Sequence, residues 1–275
     1  MTNSRVTATI TTITPEIAKE MLKNNSNNYR AIDKRKVEMY AREMEKGLWE
    51  QNYEAIQIDE NGNLKNGQHR LLAIIRSGKP QEILVVRGVG KNVSVFDVGK
   101  TRTLGEIAKA RGEDVNSSTL SAVSVIMNPE GHCGKNEVLD YYKTHDPDLF
   151  DAAYLISRRG SNKPVLRKAG IIAAIYCALK MKVATEEQLY AFATIANSSV
   201  PDDNTPSYAP LMLRRTIQEG IRNESGFIVF GSMLRKPQFE VTWQAILGFV
   251  KQRKPKRTYK PDGSSEKILQ YVRIM

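Results

Sequence analysis

Asn66-Gly67-Gln68-His69-Arg70 is the stretch that decides the fold of this chain. Before it, residues 54–59 predict a short strand and residues 60–63 a tight turn. After it, a run of apolar residues at helical spacing predicts a helix that stops at Gly78. The stretch therefore lies where a strand passes into a helix.

A glycine followed by polar and cationic residues at a helix start is typical of a phosphate-binding corner. The N–H groups of the first turn point at an anion, and the helix dipole favours negative charge there. A helix terminus contributes only about 0.3–1 kcal/mol, whereas micromolar binding needs roughly 8 kcal/mol. Arg70 could grip two phosphate oxygens, and Arg76 falls on a similar face. The alternative is a plain turn whose His69 and Arg70 are solvated.

The same five residues, followed by Leu71-Leu72-Ala73-Ile74, resemble the DGQHR signature of the ParB/sulfiredoxin-like superfamily. That group includes chromosome-partition proteins, ParB-like serine kinases and DndB-type regulators of DNA modification. The chain is closer still to phage and bacterial proteins that join this core to a helical half. Three further segments carry that likeness: residues 47–49, 96–103 and 210–215. The resemblance implies a nucleotide, ATP or CTP with Mg²⁺, and association with DNA.

Two positions depart from the signature. Asn66 stands where the signature has Asp, which weakens any metal-holding or basic role there. Gln68 stands where sulfiredoxins have their reactive cysteine, so sulfiredoxin chemistry is not expected. The resemblance implies the following nucleotide-binding residues: Asn66, Gly67, Gln68, His69, Arg70, Lys100, Thr101 and Arg102.

The segment Gly99-Lys100-Thr101-Arg102 ends like a Walker A motif, but the glycine that the motif requires five residues earlier is Ser94. We reject a P-loop on that ground. The resemblance suggests instead that Lys100 and Arg102 neutralise phosphates while Asp97 holds magnesium or orients a partner. The alternative is that Asp97 ends a strand and the two cations are solvated.

Phosphoryl transfer would require a base or a metal-holding carboxylate near the transferred group. Glu54, at the start of the core strand, and Asp97 are the available catalytic candidates. A glutamate that opens an exposed strand is more often a solvated side chain.

The composition favours a soluble, cytoplasmic protein with polyanionic partners. The 275 residues include 41 basic and 30 acidic side chains, a net charge of +11, which bears on partners rather than on fold. Cys133 and Cys177 form neither a disulfide framework nor a zinc pattern, so no protein-held metal site is expected. No apolar run is long enough for a membrane helix, and nothing indicates export.

The character of the chain changes near residue 112. Residues 1–112 predict an α+β nucleotide-binding core with a small mixed sheet. In it Asp33 caps a helix that ends at Gly47, and Thr103 with Glu106 forms a capping box. Residues 113–275 predict an all-helical domain, including a helix over 164–181 and another beginning at Thr185. Symmetric dimers are common, so a homodimer is an open alternative.

The run from residue 251 to 260 has the densest positive charge and is flanked by Pro255 and Pro261. Two prolines make a continuing helix unfavourable, so the run predicts an extended arm along DNA phosphates. The alternative is a solvated run at a helix end. The predicted nucleic-acid contacts are Lys251, Arg253, Lys254, Lys256, Arg257 and Lys260.

Three functions stay open at this point. The first is a nucleotide-binding, DNA-associated ParB-like protein of phage or bacterial DNA metabolism, with slow NTP hydrolysis as an option. The second is a phosphotransferase that acts on a DNA base or a small hydroxyl compound. The third is a DNA-binding regulator without nucleotide chemistry, which Asn66 in place of Asp favours.

Overall fold

The computed structural model describes residues 6–25, 31–50, 54–90, 103–129, 133–201, 208–222, 225–226, 228, 234–254 and 258–275. Within them the strands are β1 (Thr7–Ile13), β2 (Ile56–Asp59), β3 (Leu64–Asn66) and β4 (Gln81–Val89). The helices are α1 (Pro15–Lys23), α2 (Lys34–Glu45), α3 (Gln68–Ser77), α4 (Leu104–Ala110), α5 (Ser117–Met127), α6 (Lys135–Thr144), α7 (Pro147–Ser157), α8 (Ala169–Lys180), α9 (Glu186–Ser198), α10 (Tyr208–Glu219), α11 (Arg235–Val250) and α12 (Ser265–Ile274).

The strands form one mixed sheet in the order β1-β4-β2-β3. β1 pairs antiparallel with β4, β4 pairs parallel with β2, and β2 and β3 form an antiparallel hairpin. Strands near the N-terminus followed by helices confirm the predicted α+β class.

The described residues form two compact units that divide at about residue 101. The first takes the described residues before that point together with Gly134–Glu137, and the second takes the remaining described residues. Helix α4 buries Ala108 in the core of the second unit, although the sequence places α4 in a first domain ending at residue 112. α4 therefore belongs with the helices that its apolar face contacts.

The core of the first unit lies between the sheet and helices α1, α2 and α3. Its fully buried side chains include Ile13, Ile56, Leu64, Leu71 and Ile74. Burying side chains of this size contributes about 1.5–3 kcal/mol each. α3 is thus anchored on its apolar face, which fixes where its polar first turn lies.

The helix ends predicted from local sequence are confirmed. Asp33 caps α2 through its carboxylate, and Gly78 ends α3 in the left-handed conformation. Thr103 and Thr185 each begin a helix with a complete capping box, at α4 and α9. These signals are reliable because each depends on groups within about four residues of one another.

Helix α8 begins at Ala169 rather than at the predicted residue 164. The side-chain oxygen of Asn197 accepts hydrogen bonds from the backbone nitrogens of Val165 and Leu166, at 2.9 and 3.2 Å. These bonds hold the segment as a turn that a helical periodicity alone does not reveal. The strand that Asp97 would end in the alternative interpretation lies outside the described residues.

Among the helices that the structure describes, none is long and apolar enough to cross a membrane. The same described part of the chain contains no group of three or more His, Cys, Asp or Glu side chains able to hold a metal ion.

Candidate functional site

The corner, residues 66–70, lies where β3 ends and α3 begins. Gly67 is the residue before the helix and has a φ of 110°, in the left-handed region that favours glycine. A Cβ at this position would lie 2.8 Å from Cγ1 of Ile56. The position therefore requires glycine both for its backbone conformation and for its close approach to β2. Because glycine has no side chain, the N-cap position gives α3 no side-chain cap.

Arg70 is turned into the first unit and is only 5% exposed. Its Nη1 donates to the carbonyl oxygen of Glu54, and its Nη2 donates to that of Ala55 at 3.0 Å. Both carbonyls belong to the segment that leads into β2. The planar guanidinium fork, which the sequence assigns to phosphate oxygens, thus satisfies two backbone acceptors that would otherwise be costly to bury.

His69 and Gln68 are also buried and connect the corner to neighbouring segments. Nε2 of His69 accepts a hydrogen bond from the backbone N–H of Asp33, at 3.0 Å. The imidazole is therefore neutral, because a backbone N–H can only donate. Oε1 of Gln68 accepts from Nδ2 of Asn25 at 3.2 Å. The polar residues of the motif thus hold the start of α2 and the end of the α1 segment.

The remaining residues predicted for the nucleotide and catalytic sites are Asn66, Glu54 and four positions between 97 and 102. Asn66 is half-buried at the end of β3, opposite Gln57. Glu54 has an exposed side chain, while its backbone carbonyl meets Arg70. The structure thus brings Glu54 and Arg70 together through the backbone. The predicted positions Asp97, Lys100, Thr101 and Arg102 lie outside the described residues.

Arg76 does not join the corner. Its Nε lies 3.2 Å from Oε2 of Glu38 on α2, in an exposed ion pair. The prediction that Arg76 shares the face of Arg70 is wrong: six residues turn an α-helix by about 600°, which leaves the two side chains roughly 120° apart. Arg76 is accordingly exposed, whereas Arg70 is buried.

The structure reveals a buried pair of carboxylates, Glu43 and Glu137, that sequence reasoning missed. They are 6% and 3% exposed. Oε1 of Glu137 lies 3.2 Å from Nζ of Lys46 and 3.4 Å from Nε of Arg42. Its Oε2 accepts from the backbone nitrogen of Gly134 at 3.0 Å. Two cations and a backbone donor thus offset the burial of this carboxylate.

The burial of the Glu43 carboxylate is offset less fully than that of Glu137. Burial, followed by the negative charge of Glu137, raises the pKa of Glu43 to about 7, although backbone donors at Asn136 and Glu137 act in the opposite direction. A Cβ on Gly134 would lie 2.1 Å from Oε1 of Glu43, so a larger residue there would displace the Glu43 carboxylate. The partners are more than 90 residues apart in sequence, so no local pattern signals the pair.

The C-terminal basic segment, residues 251–260, lies against α10 and α11 at its described positions. Lys251, Arg253, Lys254 and Lys260 are exposed, and Nζ of Lys254 lies 4.5 Å from the ring centre of Tyr208. The backbone nitrogen of Tyr259 donates to the hydroxyl of Thr216, and Nε2 of Gln244 donates to the carbonyl of Lys260. Burial raises the pKa of Tyr259 to about 12. Residues 259–260 are thus fastened to two helices, and Lys256 and Arg257 lie outside the described residues.

No family model, no curated protein and no solved structure matches this chain. The resemblance to the ParB/sulfiredoxin-like superfamily stays a prediction that rests on the motif and the three shorter segments.

Proposed function

We propose that this chain associates with DNA through phosphate contacts, and that its ParB-like corner serves chiefly as a scaffold. The observation that carries the proposal is that the cations lie in two different environments. The arginine of the motif is committed to backbone carbonyls, whereas the surplus of basic residues lies on exposed side chains. This is the DNA-binding regulator among the three functions that the sequence leaves open.

The distribution of charge supports this choice. Residues 102–275 contain 25 basic and 18 acidic side chains, so most of the net charge of +11 falls there. A surplus of this kind on a surface attracts polyanions, and the release of condensed counterions from DNA supplies most of the affinity.

Titration of a fluorescently labelled DNA duplex, followed by anisotropy at several salt concentrations, tests the proposal. We expect binding whose logarithmic affinity falls linearly with the logarithm of salt, by about 0.9 for each phosphate contacted. Addition of ATP or CTP with Mg²⁺ should leave the affinity unchanged. Absence of duplex binding at about 50 mM salt would refute the proposal.

Nucleotide binding at the corner is the second candidate function. It is favoured by the left-handed Gly67 and by the N-terminus of α3, whose N-cap residue has no side chain to occupy the first-turn N–H groups. A helix terminus contributes at most about 2 kcal/mol, far below the roughly 8 kcal/mol of micromolar binding. The candidate therefore depends on Lys100 and Arg102, and on Asp97 if Mg²⁺ accompanies the nucleotide.

Isothermal titration with ATP and CTP, each with Mg²⁺, separates the two functions. If the wild type gives binding heat and a Lys100→Gln/Arg102→Gln variant does not, the chain binds nucleotide and the corner is not chiefly a scaffold. Transfer of label from γ-labelled ATP to DNA, abolished by Glu54→Gln, would select the phosphotransferase. The absence of heat with both nucleotides leaves the scaffold role in place.

A further inference from the structure

The segment between α7 and α8, residues 158–168, concentrates positive charge on the second unit. We call this segment the basic loop. Its sequence is RRGSNKPVLRK, and no acidic residue occurs from position 152 to 185. The five basic side chains are all exposed: Arg158, Arg159, Lys163, Arg167 and Lys168. Within the described part of the chain none of the five forms an ion pair.

Asn197, near the end of α9, holds both ends of the basic loop. It is 3% exposed. Its Nδ2 donates to the carbonyls of Ser157 and Arg159, at 2.9 and 2.7 Å. Its Oδ1 accepts from the nitrogens of Val165 and Leu166. One amide group therefore uses all its hydrogen-bonding capacity to close the loop, so the backbone that presents the cations needs little further ordering when a ligand binds.

The first three residues of the basic loop are also constrained. Gly160 has a φ of 84°, and a Cβ there would lie 2.7 Å from the carbonyl oxygen of Thr194 on α9. The guanidinium of Arg159 lies 4.7 Å from the ring centre of Tyr190. That of Arg158 lies 5.6 Å from the ring centre of Tyr154 and donates to its hydroxyl. The two arginines are thus positioned by aromatic rings, an arrangement that leaves their charge available to an anion.

We propose that the basic loop is the principal surface that binds the phosphate backbone of double-stranded DNA. Five exposed cations on a preformed loop match a ligand with closely spaced negative charges. Single-stranded nucleic acid is held mainly by bases stacked on aromatic rings, but here arginines lie over the rings of Tyr154 and Tyr190. This inference rests on the proposed DNA association and adds where on the chain it occurs.

The test compares two variants that remove the same charge. Lys163→Gln/Arg167→Gln/Lys168→Gln neutralises three cations of the basic loop. Lys109→Gln/Lys182→Gln/Lys267→Gln neutralises three exposed cations of the second unit that lie outside both the basic loop and the C-terminal basic segment. Both lower the net charge by three and leave the Asn197 hydrogen bonds in place, so each variant should keep the wild-type unfolding midpoint.

Duplex binding is measured by anisotropy between about 50 and 200 mM salt. We expect the loop variant to bind more than tenfold more weakly and its salt slope to fall by about 2.7, which is 0.9 for each of three phosphates that it no longer neutralises. The control variant should bind less than threefold more weakly than the wild type. Equal weakening in both variants would show a net-charge effect and overturn the inference.

The remaining outcomes separate the two proposals. If the wild-type protein does not bind the duplex, the proposed function fails. If it binds and the loop variant binds equally well, only the assignment to the basic loop fails. Polyglutamate that competes as strongly as DNA, or tighter binding of single-stranded DNA of equal length, would overturn double-stranded DNA as the ligand.

Discussion

The corner and the basic loop both have a buried polar group that holds a chain turn, yet they use their cations in opposite ways. In the corner the buried group is Arg70 itself, with its charge committed to two backbone carbonyls. In the basic loop the buried group is the neutral amide of Asn197, and the cations remain outside. Of these two turns, only the one whose internal hydrogen bonds come from another group leaves its cations exposed.

The difference has an energetic cause. A guanidinium carries five donors and can saturate several acceptors at once, but burying its charge is costly unless those bonds form. A carboxamide supplies two donors and accepts twice without that cost. The basic loop is therefore ordered by the amide of Asn197 and not by its own charged side chains. Those side chains remain available to a partner.

The largest effect expected from this comparison is on stability, in Arg70→Ala. Removal of the guanidinium leaves the carbonyls of Glu54 and Ala55 without this donor. Hydrogen bonds to charged groups contribute about 1.5–3 kcal/mol each, so the loss of two should lower the free energy of unfolding by roughly 3–6 kcal/mol. Urea unfolding measures the change.

Arg76→Ala is the matched control, because Arg76 lies on the same helix in an exposed ion pair. Its unfolding midpoint should stay close to that of the wild type. A stable Arg70→Ala protein that no longer binds nucleotide would contradict this expectation. Arg70 would then bind a ligand and not stabilise the fold.

The next effect in size is that of Asn197→Ala, which removes the amide from the basic loop. Four hydrogen bonds disappear and part of the backbone of residues 157–166 is left unsatisfied. We expect the free energy of unfolding to fall by roughly 2–4 kcal/mol, measured by urea unfolding. Thr194→Ala, at an exposed position of the same helix, should change it little. Equal stability of Asn197→Ala and the wild type would mean that the loop is not held from inside.

Local chemistry made much of the fold predictable. The carboxylate of Asp33, the capping boxes at Thr103 and Thr185, and Gly78 all act within a turn of their helices. The strand, turn and helix around the corner follow from short patterns of the same kind. Thr14 followed by proline at the first position of α1 is a further local start signal, and it would have located a helix that was not predicted.

The direction in which the polar side chains point was not predictable. Gly67 followed by Arg70 has the same local appearance whether the arginine binds a phosphate or a carbonyl. The deciding acceptors, at Glu54 and Ala55, lie 16 and 15 residues earlier. The start of α8 likewise depends on Asn197, 31 residues after Leu166. Such bonds arise from tertiary packing, which periodicity and spacing do not contain.

The smallest of the expected effects concerns Glu43, a buried polar group that lacks the compensation found at Arg70 and Asn197. The pKa of Glu43 is raised to about 7 in the folded protein, from an ordinary value of 4.5. The folded state therefore holds this proton more tightly than the unfolded state does. The resulting stabilisation is fully present below about pH 4.5 and is lost as the pH rises through about 7.

Glu43→Gln should remove that dependence, because an amide stays neutral and its oxygen can still accept from the nitrogens of Asn136 and Glu137. One pKa unit corresponds to about 1.4 kcal/mol, so at about pH 6.5, roughly two units above the ordinary pKa, the variant should be more stable than the wild type by roughly 2–3 kcal/mol. At about pH 4.5 the two should be alike. Urea unfolding across this range measures the difference, and Glu45→Gln, exposed on the same helix, should follow the wild type. A variant destabilised at every pH would instead mean that the Glu43 carboxylate is as well compensated by its neighbours as the guanidinium of Arg70.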